Sequence, residues 1–221
     1  MKKQIITFLF CFMTYIYGIP ENPEFSTAGF YTIDNTCREV FSMNPIWKFH
    51  RGKIENAYDS NYPDSTWETV SLPHGIEYLP LNASGCINYQ GEVWYRKNFS
   101  LASKYKGKKI ILYFEGIMGK SKLWINGILI HSHYSGYLPA AVDISEYINF
   151  DKENIIAVKA DNSNDPDYPP GKPQNTLDFS YFGGIYRDCW LIIHEQVYIS
   201  HPLMEKIPAG GGIFVRNLHV S

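Results

Sequence analysis

The chain has 221 residues, with 20 Lys and Arg against 22 Asp and Glu, for a formal net charge of −2. A balance this even lacks the basic face that nucleic acid demands, and no run of like charges forms a tail. The length allows one large domain or two small ones, and a chain of this size buries roughly 70% of its unfolded surface, enough for one core. Aromatic residues make up 16%, with 17 Tyr and 5 Trp. That suits an all-β core and also stacking on sugars, so composition does not separate the two.

Lys2 and Lys3 precede an apolar run from Ile5 to Tyr17, and Gly18 offers a small residue for cleavage. This is the pattern of a secretory signal, so residues 1–18 are read as a signal peptide and the product as secreted or periplasmic. About 13 apolar residues fall short of the roughly 20 that a membrane span needs. Cleavage would leave Cys37, Cys86 and Cys189, an odd number without metal-ligand spacing. A Cys37–Cys86 bridge and free thiols both remain open.

Residues 19–43 show little periodicity and read as a loose arm. Strand-like alternation begins at Pro45–His50, with Trp47 and Phe49 on one face. The stretch Asp59–Trp67 is turn-rich, and Pro73 ends regular pairing before a long irregular link over residues 75–92. Asn88, Tyr89 and Gln90 give that link donors, acceptors and a ring face in one short span. A ligand-contacting loop and a loop held by its own side-chain-to-backbone bonds are both consistent with this.

Strong strand signals follow at Val93–Phe99 and at Ile110–Phe114, whose unbroken apolar run marks a strand covered on both faces. Lys122–Ile125 and Ile128–His131 flank Asn126-Gly127, a pair that accepts positive φ at both residues of a type I′ hairpin turn. His131 and His133 stand two apart, as neighbours on one face of a strand do, with no third ligand nearby in sequence. Neither a metal site nor a cofactor is therefore indicated. Residues 142–148 read as a short turn or helical stub, and Asn154–Ala160 as another strand.

From Asp161 to Thr176 come four prolines and almost no aliphatic residues. Such a stretch cannot be a central strand, but its prolines reduce the entropy lost in holding one shape. It leads to Asp178-Phe179-Ser180-Tyr181-Phe182-Gly183-Gly184 and then to the apolar segment Cys189–Ile193. Two adjacent glycines permit a turn where a Cβ would clash. A tight turn carrying one acid between aromatic rings suits a polyhydroxylated ligand; it also suits a plain turn whose rings cap a core. Strands at short intervals, Gly/Pro turns and no long helical period together predict an all-β antiparallel sandwich.

Several segments, in order, resemble the N-terminal domain of glycoside hydrolase family 2, which contains β-galactosidases, β-glucuronidases and β-mannosidases. They are Leu72-Pro73-His74, Trp94-Tyr95-Arg96-Lys97-Asn98-Phe99, Phe114-Glu115-Gly116, Trp124-Ile125-Asn126-Gly127, Gly136-Tyr137-Leu138-Pro139 and Gly184-Ile185-Tyr186-Arg187-Asp188. The resemblance spans roughly residues 45–195 and implies a galactose-binding-like jelly-roll over residues 19–200. Asp64-Ser65-Thr66-Trp67 also resembles the family's D-x-x-W segment, which implies that Trp67 is a core anchor rather than a sugar platform. It further implies that residues 201–221 are a linker and the first strand of an immunoglobulin-like domain, with residues 213–220 as that strand. A (β/α)₈ barrel would follow.

Family 2 enzymes resemble the retaining scheme of two carboxylates about 5–5.5 Å apart, and both of theirs lie on the barrel. Glu77, Glu92 and Glu115 match no catalytic motif, so no catalytic residue is assigned within residues 1–221 and whether the chain is itself an enzyme stays open. The resemblance implies a β-galactosidase-like, exported glycosidase whose first domain forms one wall of the substrate pocket, the partners being an oligosaccharide or galactoside and the two further domains. Asp178 lies six residues before Gly184, the spacing of a sugar-binding aspartate in the family's β-galactosidases. Asn88, Gln90 and Tyr181 are the other substrate-binding candidates. Arg187 and Asp188 are read as a structural ion pair, and the alternative function is a free-standing, non-catalytic carbohydrate-binding module.

Overall fold

A computed structural model describes residues 37–77, 88–168, 170–180, 182–205, 207–208, 210–213 and 215–218. The signal-peptide segment, Tyr181 and most of the link at 78–87 lie outside them. The strands are β1 (Arg38–Ser42), β2 (Trp47–Arg51), β3 (Glu68–Val70), β4 (Glu92–Ser100), β5 (Lys109–Phe114), β6 (Lys120–Ile125), β7 (Ile128–Tyr134), β8 (Ala140–Asp143), β9 (Glu153–Asp161) and β10 (Cys189–His194). They form a four-stranded sheet in the order β1-β10-β5-β8 and a six-stranded sheet in the order β3-β2-β4-β9-β6-β7. Every pairing is antiparallel. The result is an all-β sandwich, and the helical content among the described residues is three short 3₁₀ turns. No helix there is long and apolar enough to cross a membrane.

Alternation along the strands decides which side chains enter the core. In β4, Val93, Tyr95 and Phe99 face inward; in β5 it is Ile110, Leu112 and Phe114, and in β10 Cys189, Leu191 and Ile193. The intervening residues of the six-stranded sheet build a second cluster on its outer side, where Trp94 and Trp124 pack with Trp67, Ala57 and Ala157. Residues 52–67 fold over that outer side, and the anchor role expected of Trp67 is met there. This explains why β4 reads as buried on both faces.

The fold over the outer layer is fixed by Arg96. Its side chain is 1% exposed. The guanidinium donates to Asp64 Oδ2 (2.7 Å) and to the carbonyls of Ala57 (2.6 Å) and Asp59 (2.9 Å). A planar fork with five donors satisfies several acceptors at once, which a lysine ammonium cannot match in geometry. Its neighbour Lys97 turns the other way, donating to the carbonyl of Pro45 beneath the Trp47 ring.

The Asn126-Gly127 turn is as expected, with φ values of 51° and 82° joining β6 to β7. The asparagine side chain adds a second role, donating to Tyr147 O and Asn154 Oδ1 and accepting from the Ile155 amide. Three expectations are corrected. The arm over residues 19–43 ends in β1, an edge strand paired along β10. The stub at 142–148 is half strand, since β8 pairs with β5 before the 3₁₀ turn Ser145–Tyr147. Asp188 does not pair with Arg187: it accepts from Asn44 Nδ2 (2.9 Å), while Arg187 stacks over the Tyr186 ring. Beyond β10, the described residues up to 218 form no strand. Cys37 and Cys189 are free thiols, the first exposed and the second buried.

Arg96→Met should lower the unfolding free energy by about 3 kcal/mol, because it strands Asp64 and two carbonyls beneath the outer layer. Urea denaturation of both proteins measures this. A loss below about 1 kcal/mol would mean that Trp67 packing alone holds residues 52–67.

Candidate functional site

At one end of the sandwich, several segments converge where β9 ends. Asn162, the residue after β9, is 2% exposed. Its Oδ1 accepts from the Gly91 amide (2.9 Å) and its Nδ2 donates to Tyr89 O (2.9 Å). Its carbonyl accepts from Gln90 Nε2 at 3.5 Å. One side chain thus clamps the loop that enters β4. A second clamp comes from Gln174, also buried, in the proline-rich stretch. Gln174 Oε1 accepts from the Asn88 amide (2.8 Å) and Gln174 Nε2 donates to Asn88 Oδ1 (2.7 Å). Such paired amides satisfy each other's donors and acceptors.

The Gly183-Gly184 turn packs directly onto this assembly. A methyl on Gly183 would overlap Ile76 Cδ1 and Asn162 Nδ2, and one on Gly184, where φ is +90°, would overlap the Tyr95 hydroxyl. Only glycine fits at either position. The turn is tied on two sides by backbone bonds, His74 N to Ile185 O (2.8 Å) and Met118 N to Gly184 O (3.0 Å). Asn44 reaches the same segment, accepting from the Cys189 amide while donating to Asp188.

The acids nearby are engaged. Glu77 accepts from Arg51 Nη1 (2.9 Å) and from the Tyr89 amide (3.0 Å), with Arg51 also over the Tyr89 ring. Glu92 accepts from Trp94 Nε1 and Lys159 Nζ. Glu115 accepts from Trp190 Nε1. His74 packs against Phe49, its Nδ1 2.9 Å from the Tyr95 hydroxyl. Burial pushes the Tyr95 phenol well above its ordinary range and holds the His74 imidazole below 6.5, against a smaller opposing pull from Glu68. Beside His74 opens a groove walled by His50, Arg51, Trp67, Glu68 and Glu77.

Of the four residues expected at a sugar site, Asn88 and Gln90 sit on the clamped loop, both half-buried. Asp178 lies four residues beyond Gln174 and is exposed on the corner. Tyr181 is outside the described residues. Phe179 and Phe182, in the same segment, are exposed, at 44% and 43%, and the Phe182 ring lies against Gly75. Missed by sequence reasoning are Asn162 and Gln174, which hold the corner together. An asparagine at the end of an apolar run is a turn signal, but nothing local tells which loop its amide holds.

Two antiparallel sheets packed face to face, with a braced polar corner at one end, define the class, an all-β sandwich domain. The family is settled by comparison: residues 53–195 match the family "Glycosyl hydrolases family 2, sugar binding domain", and the chain belongs to it. A β-galactosidase of Thermoanaerobacter pseudethanolicus is 37% identical over 164 residues, 74% of this chain and 22% of that protein. A β-glucuronidase of Formosa agariphila is 32% identical over 190 residues, 81% of this chain and 19% of that one. Among solved structures, a family 2 β-glucuronidase superposes with a TM-score of 0.67 at 30% identity, covering 80% of this chain and 20% of its own. Bacteroides uniformis β-glucuronidase 2, covalently bound to cyclophellitol-6-carboxylate aziridine, gives 0.63 at 34% identity, covering 71% and 18%. The chain therefore spans about a fifth of the length of these relatives.

Asn162→Ala removes both side-chain bonds to the loop and should cost about 1–3 kcal/mol, read as faster hydrogen exchange at the Gly91 amide. Unchanged protection there would show that Gln174 suffices. For His74, the folded ring binds its proton less readily than the unfolded one. The stability it contributes is complete above about pH 6.5 and is lost as pH falls through its lower folded value. Denaturation between pH 5 and pH 7 should show a shallower acid loss in His74→Gln than in the parent; an identical slope would exclude His74 as its source.

Proposed function

We propose that the chain is the sugar-binding domain of an exported, β-galactosidase-like family 2 glycosidase, and that it forms one wall of the substrate pocket. Asp178 is the central contact in this reading. Its ionised carboxylate accepts hydrogen bonds from two sugar hydroxyls, each worth about 1.5–3 kcal/mol as a charge-assisted bond. Asn88, Gln90 and Tyr181 are the other sugar contacts in this proposal. The hydrolytic carboxylates belong, in this proposal, to the barrel expected after the sandwich domain.

The observation that carries the reading is the placement of Asp178: exposed on a corner whose flanking loops are locked by buried amides. A carboxylate held this way meets its ligand without first having to order its loop, which is how preorganisation raises affinity. In this reading, residues 1–221 by themselves cover only one side of a sugar. NMR titration of the full chain with galactose should therefore give a Kd in the millimolar range, near −4 kcal/mol, with shifts concentrated at residues 88–91 and 174–180. Asp178→Ala should abolish those shifts. A micromolar affinity that survives this substitution would reject the assignment and favour a self-sufficient binding module.

A further inference from the structure

We propose that His131 and His133 form a surface chelate for a borderline divalent transition-metal ion, at the edge of the six-stranded sheet. Both residues lie on β7, the outermost strand of that sheet. The register sets His131 opposite Leu123 and His133 opposite Ser121, so both rings are on one face of the strand. Their ring centroids are 5.9 Å apart with the planes 25° from parallel. Two imidazoles closing on one ion, with metal–nitrogen bonds of about 2.1 Å, put their centroids about 5 Å apart. Small side-chain rotations cover that difference.

The second observation fixes which nitrogen can ligate. His133 Nε2 lies 3.1 Å from the carbonyl oxygen of Leu138. A carbonyl only accepts, so Nε2 carries the proton and the lone pair is on Nδ1. Metal-bound histidines are oriented in this way, donating the far N–H to a carbonyl or carboxylate. Here the donor bond exists before any ion arrives, anchored on the turn that follows β7. Among the described residues no third histidine, cysteine or carboxylate joins the pair. Water would therefore complete the coordination, and the two-nitrogen set selects copper, nickel or zinc over calcium and magnesium, which require oxygen ligands.

The probe is copper(II) alone, the strongest binder of the divalent series, titrated into the full chain by calorimetry and followed by electron paramagnetic resonance. The expected result is a site of one ion per chain with a two-nitrogen signature. His131→Gln and His133→Gln should each weaken it by roughly 10- to 100-fold, because losing one ring removes the chelate advantage. His194→Gln, on the other sheet, should leave it intact. Thermal melts establish that each variant is folded, both rings being only half-buried. Copper binding that is equal in the parent and both β7 variants, or a one-nitrogen signature in the parent, would overturn the assignment.

Discussion

The architecture of the corner depends on one buried amide. Asn162 stands where β9 leaves the sheet, and its side chain must meet the loop entering β4 and the Gly183-Gly184 turn in the same small space. Two demands follow. The amide must keep both its donor and its acceptor satisfied, since a stranded polar group in such a place costs as much as several ordinary contacts. The turn must carry no Cβ, because the room beside Nδ2 is already taken. Polar pairing and steric exclusion therefore fix the same geometry, and Gln174 repeats the first device one loop farther on.

The sandwich supplies the rigid ground for this. The inner core from both sheets and the outer cluster beneath residues 52–67 cover the six-stranded sheet on both sides. Arg96 joins the two layers of the design: its backbone pairs within the sheet, and its guanidinium satisfies carbonyls of the overlying loop. A charge this deeply placed is tolerable because each hydrogen-bonding direction found has an acceptor. The acids near the corner are treated in the same way. Glu77, Glu92 and Glu115 each neutralise or orient a named donor.

What could be read from the sequence was what is local. Asn126-Gly127 makes its hairpin from two residues, and Ile110–Phe114 declares a covered strand by its own composition. The order of short motifs also pointed to the family. What escaped were features created by distant pairing. β1 is five residues whose partner is β10, with Arg38 opposite His194, so no periodicity inside it foretells the strand. Asn162 acts on residues 71 and 73 positions away, and Asn44 on Asp188 and Cys189, 144 and 145 away. Arg187 and Asp188 are adjacent with opposite charges, yet Asp188 accepts from the distant Asn44 while Arg187 lies over the ring of Tyr186.

Asn44 carries a mechanical consequence. It sits between β1 and β2, which belong to different sheets, and it grips the chain just before β10. The backbone on the near side of that grip is sewn to His74 and Met118. A pull exerted on the glycine turn is thus shared between both halves of the sandwich rather than absorbed by one hinge. Neither sheet can shift at this corner without straining bonds that the other holds.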